Sequence, residues 1–268
     1  MALLLKPVPP LQGARWMRDG FRLFGKHPLA FSVLLVTFLL TALVLSLVPF
    51  VGSLVVVAAL PLLSLGFMVA SEAALAGQPI HPGQFLAPLE GDALRRQRQF
   101  TLCLAYGAAT VLVMLLSDAV DDGKFEKLQR LLGQSDKAGE VELLLRDPQL
   151  FWGVVTRFGL IALLSVPFWH ASALVHWGGQ GPAQALFSST LAVWRSRGAF
   201  AVYLLSWLGI IVAFGVTTAL LAGLLSAREM AGMMLLPSVL IFSTVFYVSL
   251  LFTFNDSFGG SSIRHAAP

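Results

Sequence analysis

Charge is what this sequence has least of. Acidic and basic residues make up 12% of the 268 residues while 57% are hydrophobic, against roughly 25% charged and about 45–50% apolar in a soluble domain. So few charges cannot cover a water-facing surface, which excludes an ordinary soluble fold and makes the bilayer part of the solvent. Cysteine is nearly absent. Cys103 stands alone, so neither a disulfide framework nor a thiolate metal site forms within one chain. The Gly-x-x-x-x-Gly-Lys-Ser/Thr phosphate loop, the dinucleotide fingerprint, the nucleophile elbow and HExxH are all missing. A cleavable leader is not expected, because Met1–Leu5 is a short apolar patch broken by Lys6, Pro7, Pro9 and Pro10. Insertion then relies on the first span.

What the sequence has in abundance is long apolar runs. A helix crossing a ~30 Å hydrocarbon core needs about 20 apolar residues at ~1.5 Å each. Six runs qualify, at about 29–48, 52–76, 99–119, 151–177, 199–225 and 233–255. The fold class is therefore all-α: a polytopic membrane bundle, read as three hairpins, each with a basic, amphipathic lead-in. It is one membrane domain, with a lead-in at 1–28, a loop at 120–150 and a tail at 256–268. The last two spans are joined by a turn at 226–232 holding Arg228 and Glu229.

Net charge of +4 could suggest nucleic acid, but the cations sit beside spans and serve orientation and anionic lipid headgroups instead. The short connections on one side, with both termini, hold eleven Lys/Arg, among them Arg15, Arg18, Arg22, Lys26, Arg95, Arg96, Arg98, Arg195, Arg197 and Arg264; the other side holds six. Both termini are expected in the cytoplasm, and the nine cations from Arg15 to Arg197 are the candidate headgroup contacts. At 100° per residue, Arg15, Arg18, Asp19, Arg22 and Lys26 share one face of the first lead-in, with Trp16, Met17, Gly20, Phe21, Leu23 and Phe24 opposite. That predicts a helix in the headgroup plane with its rings sunk into lipid, and Pro28 at the first turn of span one.

Charges inside spans cost about 2.5–3.5 kcal/mol on insertion scales, so each is a functional candidate. Glu72, His170, His176 and Asp256 fall at similar depth on the returning spans and form the candidate polar site. Their bland reading is that each sits near the interface, where ionisation costs little. His170 and His176, six apart, point about 120° from each other, so one metal cannot take both; no metal or cofactor is assigned. Arg157 and Asp118 reach comparable depth near the other end and make the candidate structural ion pair. Pro61, Pro167 and Pro237 are expected to kink or reshape their helices. In the 120–150 loop, apolar residues at helical spacing predict two short helices joined by a turn at 133–139.

Phe168-Trp169-His170-Ala171-Ser172-Ala173-Leu174-Val175-His176-Trp177, Trp194-Arg195-Ser196-Arg197-Gly198-Ala199-Phe200 and Phe252-Thr253-Phe254-Asn255-Asp256-Ser257-Phe258 together resemble a family of uncharacterised multi-pass inner-membrane proteins found mainly in betaproteobacteria. The likeness runs from the first lead-in to Phe258 and is weakest in the 120–150 loop. It implies an inner-membrane helical bundle and no reaction. The leading functional reading is a non-enzymatic accessory, lipid-interacting or complex-organising bundle, whose partners are anionic lipids, a membrane protein or a second copy, without nucleic acid. The alternative is a small-solute or lipid transporter using the four polar residues. An intramembrane enzyme remains as a third reading.

Overall fold

The computed structural model describes residues 5–49, 51–90, 92–132, 134, 137–224 and 228–259. Among them there is no strand, and twelve α-helices follow in order. They are α1 (Gln12–Lys26), α2 (Pro28–Ser46), α3 (Val51–Ala58), α4 (Leu60–Leu75), α5 (Ala93–Asp121), α6 (Lys124–Leu131), α7 (Ala138–Leu145), α8 (Pro148–Phe168), α9 (Ala171–His176), α10 (Pro182–Arg195), α11 (Arg197–Leu224) and α12 (Arg228–Phe258). Five spans among the described residues are long and apolar enough to cross a membrane, or six if the bent pair α3–α4 counts as one. The tail beyond Gly259, Arg264 included, lies outside the described residues, as do 225–227.

Local chemistry sets the helix ends. Pro28 opens α2 at its first turn, where the missing N–H costs nothing. Asp92 caps α5 by accepting the Leu94 N–H at 3.3 Å, and Asp147 caps α8 by accepting from Gln149 at 2.8 Å, with Pro148 following. The cap at Asp92 corrects one expectation: α5 begins at Ala93, so Arg95, Arg96 and Arg98 ride its first turns and do not lie in a loop. Likewise α12 begins at Arg228, making most of the expected 226–232 turn helical. Pro237 lies inside this helix. Asp122 and Gly123 both adopt the left-handed conformation, at φ 54° and 70°, and turn the chain from α5 into α6. The two short helices α6 and α7 fill the 120–150 loop.

The second run is not a straight rod. α3 and α4 meet at Ala59 with a bend of 42°, two residues before Pro61, which has no N–H for the ladder. Near the other end of α3, a Cβ on Gly52 would stand 1.8 Å from the Leu45 carbonyl oxygen. Only glycine lets the α2–α3 turn close that tightly.

The fourth run breaks between Phe168 and Ala171, just after Pro167. In an unbroken helix the His170 N–H would bond the Val166 carbonyl. Ser189 of α10 stands between them instead: its hydroxyl accepts from His170 N–H at 3.0 Å and donates to Val166 C=O at 3.1 Å. One buried side chain thereby satisfies both groups of the opened turn. Ser189→Ala strands the His170 N–H and leaves the Val166 carbonyl only its long 3.5 Å bond from Trp169 N–H, at a cost of about 1–3 kcal/mol for a buried unsatisfied polar group. Chemical denaturation in detergent should show that loss, while Thr190→Ala, whose hydroxyl bonds its own helix at Leu186, should change stability by a few tenths of a kcal/mol.

The largest departure from expectation is α1. Its amphipathic pattern is present, but the apolar stripe faces protein. Gly13, Trp16, Gly20 and Leu23 are buried, three to four residues apart, against α11 and α12. Trp16 is 0% exposed, with Phe200 and Tyr203 ring centroids at 5.2 and 5.9 Å. A Cβ on Gly13 would fall 2.0 Å from the Ala199 carbonyl oxygen, and one on Gly20 2.7 Å from Ser249 Cβ. The Trp16 ring is therefore not sunk into lipid; glycine at two positions lets the helix backbone settle onto its neighbours.

Candidate functional site

The four polar candidates share the end of the bundle that carries Arg95 and Arg195, but they do not form one cluster. Among the described residues, no hydrogen bond or ion pair joins any two of them. Each is taken by a different neighbour.

Asp256, near the end of α12, accepts from Trp16 Nε1 at 2.8 Å and from Gln12 Nε2 at 2.7 Å. A second tie lies beside it, Lys6 N–H to Ser257 C=O at 2.9 Å. The carboxylate thus fastens α1 to α12, and charge-assisted bonds are the stronger kind. Periodicity alone groups Trp16 with lipid-facing rings and does not reveal its polar partner. The available signal was the pair Gly13 and Gly20 on the Trp16 face, which permits close backbone approach.

His170 is 1% exposed, walled by Phe200, Phe254 and Phe258 with centroids 5.5–6.0 Å away. Its Nε2 lies 3.0 Å from Thr253 Oγ1. That hydroxyl donates to Leu250 C=O at 2.8 Å, so its proton is committed and it accepts from His170 Nε2–H. Nδ1 is buried without a partner. This is a packed core histidine whose ring is fixed from α12.

Glu72 and His176 belong to a third neighbourhood. Trp177, next to His176, interacts with the Glu72 carboxylate, and Arg95 is close enough to act electrostatically on His176. Glu72 also lines a cavity of about 550 Å³ with Gln78, His81, Gln84 and Glu90. Its outer wall is the connection from α4 to α5, which folds into two single turns, Pro82–Phe85 and Ala87–Leu89. Phe85 anchors this wall by reaching down to Gly66, where a Cβ would meet its ring at 2.3 Å, and to Phe67 and Phe38.

A second, smaller cavity of about 150 Å³ opens beside the α3–α4 break, between Leu60, Pro61, Tyr106, Phe168, Trp169 and Tyr247. Its serines Ser64 and Ser165 bond carbonyls of their own helices, Pro61 and Ala162, leaving an apolar wall.

Of the nine candidate headgroup contacts, Arg15, Arg18, Arg22, Lys26, Arg96, Arg195 and Arg197 are exposed. Arg95 and Arg98 are half-buried, and Arg98 Nη1 donates to Gly179 C=O at 2.6 Å. Only Arg18 and Arg22 meet a carboxylate among the described residues, both at Asp19.

At the opposite end, Arg157 Nη2 and Asp118 Oδ1 are 2.5 Å apart, joining α8 to α5, and the guanidinium lies 4.2 Å from the Phe125 ring centroid. One turn along, Gly153 leaves room for the buried Asp121, whose Cβ would be 2.3 Å from a Cβ on Gly153. Lys124 pairs with Asp147, and that ammonium holds the Asp147 carboxyl below the ordinary carboxylate range. Among the described residues, no group of three or more His, Cys, Asp or Glu is placed to hold a metal.

Several long apolar helices, a bundle glued by aromatic contacts and the near-absence of free intramembrane charge define an integral multi-pass membrane protein. Over 248 residues, 92% of the chain and 91% of the relative, it is 30% identical to a probable inner membrane protein of Burkholderia thailandensis. The chain belongs to the family of that inner membrane protein. No family model matches it, and neither does any solved structure.

Proposed function

We propose that this inner-membrane protein is a non-enzymatic, lipid-interacting bundle that crosses the membrane six times as three hairpins, with both termini in the cytoplasm, in a family centred on betaproteobacteria. The observation that carries the lipid reading is the set of cations from Arg15 to Arg197 at one end of apolar spans, mostly exposed and, among the described residues, mostly without a carboxylate partner. Phosphate headgroups of the cytoplasmic leaflet supply the missing negative charge, at about 1 kcal/mol per cation near the surface. The eleven-to-six imbalance of Lys/Arg supports the orientation, and α3–α4 serves as one bent span.

A transport role has less to rest on. Asp256 and His170 are engaged within the bundle, and the cavity beside the break in span two has apolar walls. A structural or complex-organising role is compatible with the same features, with a membrane protein or second copy as partner.

The test is lipid retention. Purified in mild detergent, the protein should carry phosphatidylglycerol or cardiolipin in excess over their share of the membrane. Replacing Arg15, Arg18, Arg22 and Arg96 with Gln should abolish most of that excess, because four lost cations at about 1 kcal/mol each weaken headgroup association by up to roughly a thousandfold. Equal retention by the fourfold variant defeats the lipid reading. Reporter fusions after Gly25 and after Arg96 that report from opposite sides of the membrane defeat the topology.

A further inference from the structure

We propose that the cavity between α4 and the Pro82–Leu89 turns binds an alkylammonium group, borne either by an ethanolamine lipid headgroup or by a free amine. Its charged lining is acidic: Glu72 from α4 and Glu90 from the end of the outer wall, with His81 beside them. Among the described residues neither carboxylate meets a cation. Of the neutral donors nearby, Trp177 already serves Glu72, and Gln84 is clamped to backbone: its Oε1 accepts from His81 N–H at 3.2 Å and its Nε2 donates to Pro79 C=O at 3.3 Å. A carboxylate at the end of an apolar helix that meets only the neutral Trp177 donor and no cation is costly to maintain, and beside it lies a cavity of about 550 Å³. That volume admits a headgroup-sized ligand.

The chemistry of the walls chooses the ligand. An anion would meet two like charges. A primary ammonium offers three N–H donors to carboxylate acceptors, and its short carbon stem fits against Val69, Ala73, Ala76 and Ala87 on the same walls. The cavity lies at the basic end, where the loop wall meets the end of α4, so the ligand enters at headgroup level. The outer wall does not depend on the ligand: Phe85 packed on Gly66 and Phe67 holds it in place.

The lipid form of this inference rests on the lipid-interacting reading above; the free-amine form does not. The full chain in lipid nanodiscs and in detergent should be probed by native mass spectrometry and thermal unfolding. The probes are phosphatidylethanolamine, phosphatidylglycerol, N-acetylated phosphatidylethanolamine and free ethanolamine. Phosphatidylethanolamine should bind, its N-acetylated form should bind roughly tenfold more weakly, and Glu72→Gln and the exposed Glu90→Gln should each weaken it by about the same factor. Stabilisation by ethanolamine with no preference for the lipid supports the free-amine form alone. If the N-acetylated lipid binds as well as the native one and ethanolamine does nothing, the inference is overturned. It is equally overturned if both glutamine variants fold and bind like the unaltered protein. Loss of phosphatidylglycerol in the arginine variants bears on the headgroup reading and leaves the cavity untouched.

Discussion

Gly13→Ala should lift α1 off the bundle and lower stability by at least about 3 kcal/mol, at the upper end for overpacking in a tight interface. The added methyl has nowhere to go. It would lie 2.0 Å from the Ala199 carbonyl oxygen and 2.7 Å from the Tyr203 amide nitrogen, both backbone atoms that cannot rotate aside. The helix must withdraw as a body, taking Trp16 from between Phe200 and Tyr203 and breaking its bond to Asp256. Two measurements check this: the thermal midpoint in detergent, and quenching of tryptophan fluorescence by an aqueous quencher. Gly25→Ala is the control. It lies in the same helix, but its Cβ would meet nothing within 4 Å, so it should be neutral or stabilise by up to about 1 kcal/mol through helix propensity. If Gly13→Ala melts with the parent protein, α1 is not held by this contact.

Breaking the Arg157–Asp118 pair should have a comparable effect with a different signature. Arg157 is 11% exposed at its side chain and Asp118 31%, so water screens the pair only in part. Arg157→Met leaves a carboxylate facing apolar helices, and Asp118→Asn leaves the guanidinium with little beyond the Phe125 ring. Each single change should cost about 3 kcal/mol, the lower end for removing one partner of a buried pair. The double variant Asp118→Asn/Arg157→Met removes both charges. It should be more stable than the sum of the single losses implies, by at least about 1 kcal/mol of coupling. Additive losses would mean that each residue acts through other contacts.

Much of this architecture is legible in the residues. Pro28 marks the start of α2 because proline is tolerated only where no N–H is required, and the charge-free stretch from Leu29 to Ser71 can rest only in hydrocarbon. Arg157 and Asp118 are opposite charges on the two spans that flank a shared connection, which is enough to suggest that they meet. What escaped reading has a common cause. Periodicity tells which face of α1 is apolar but not what covers it, since lipid and protein are equally apolar solvents for a Trp side chain. Similar depth placed Glu72, His170, His176 and Asp256 together, but depth says nothing about azimuth. Hydrogen-bond competition then drew Asp256 to Trp16 and His170 to Thr253. Ser189 carried no distinguishing signal, for its role exists only where Pro167 has opened the helix facing it. The cavity beside Glu72 depends on how the turns at Pro82–Phe85 and Ala87–Leu89 fold back, a path set by Phe85 finding the gap at Gly66.

The seam between α1 and the last two helices also constrains how the protein is made. Lys6, Gln12 and Trp16 bond to Ser257 and Asp256, more than two hundred positions downstream. Contacts so distant along the chain form late, so α1 waits, its tryptophan without its carboxylate partner, until α12 has been translated and inserted. The molecule closes on itself like a clasp, and a chain ending short of α12 lacks the half that Asp256 and Ser257 supply.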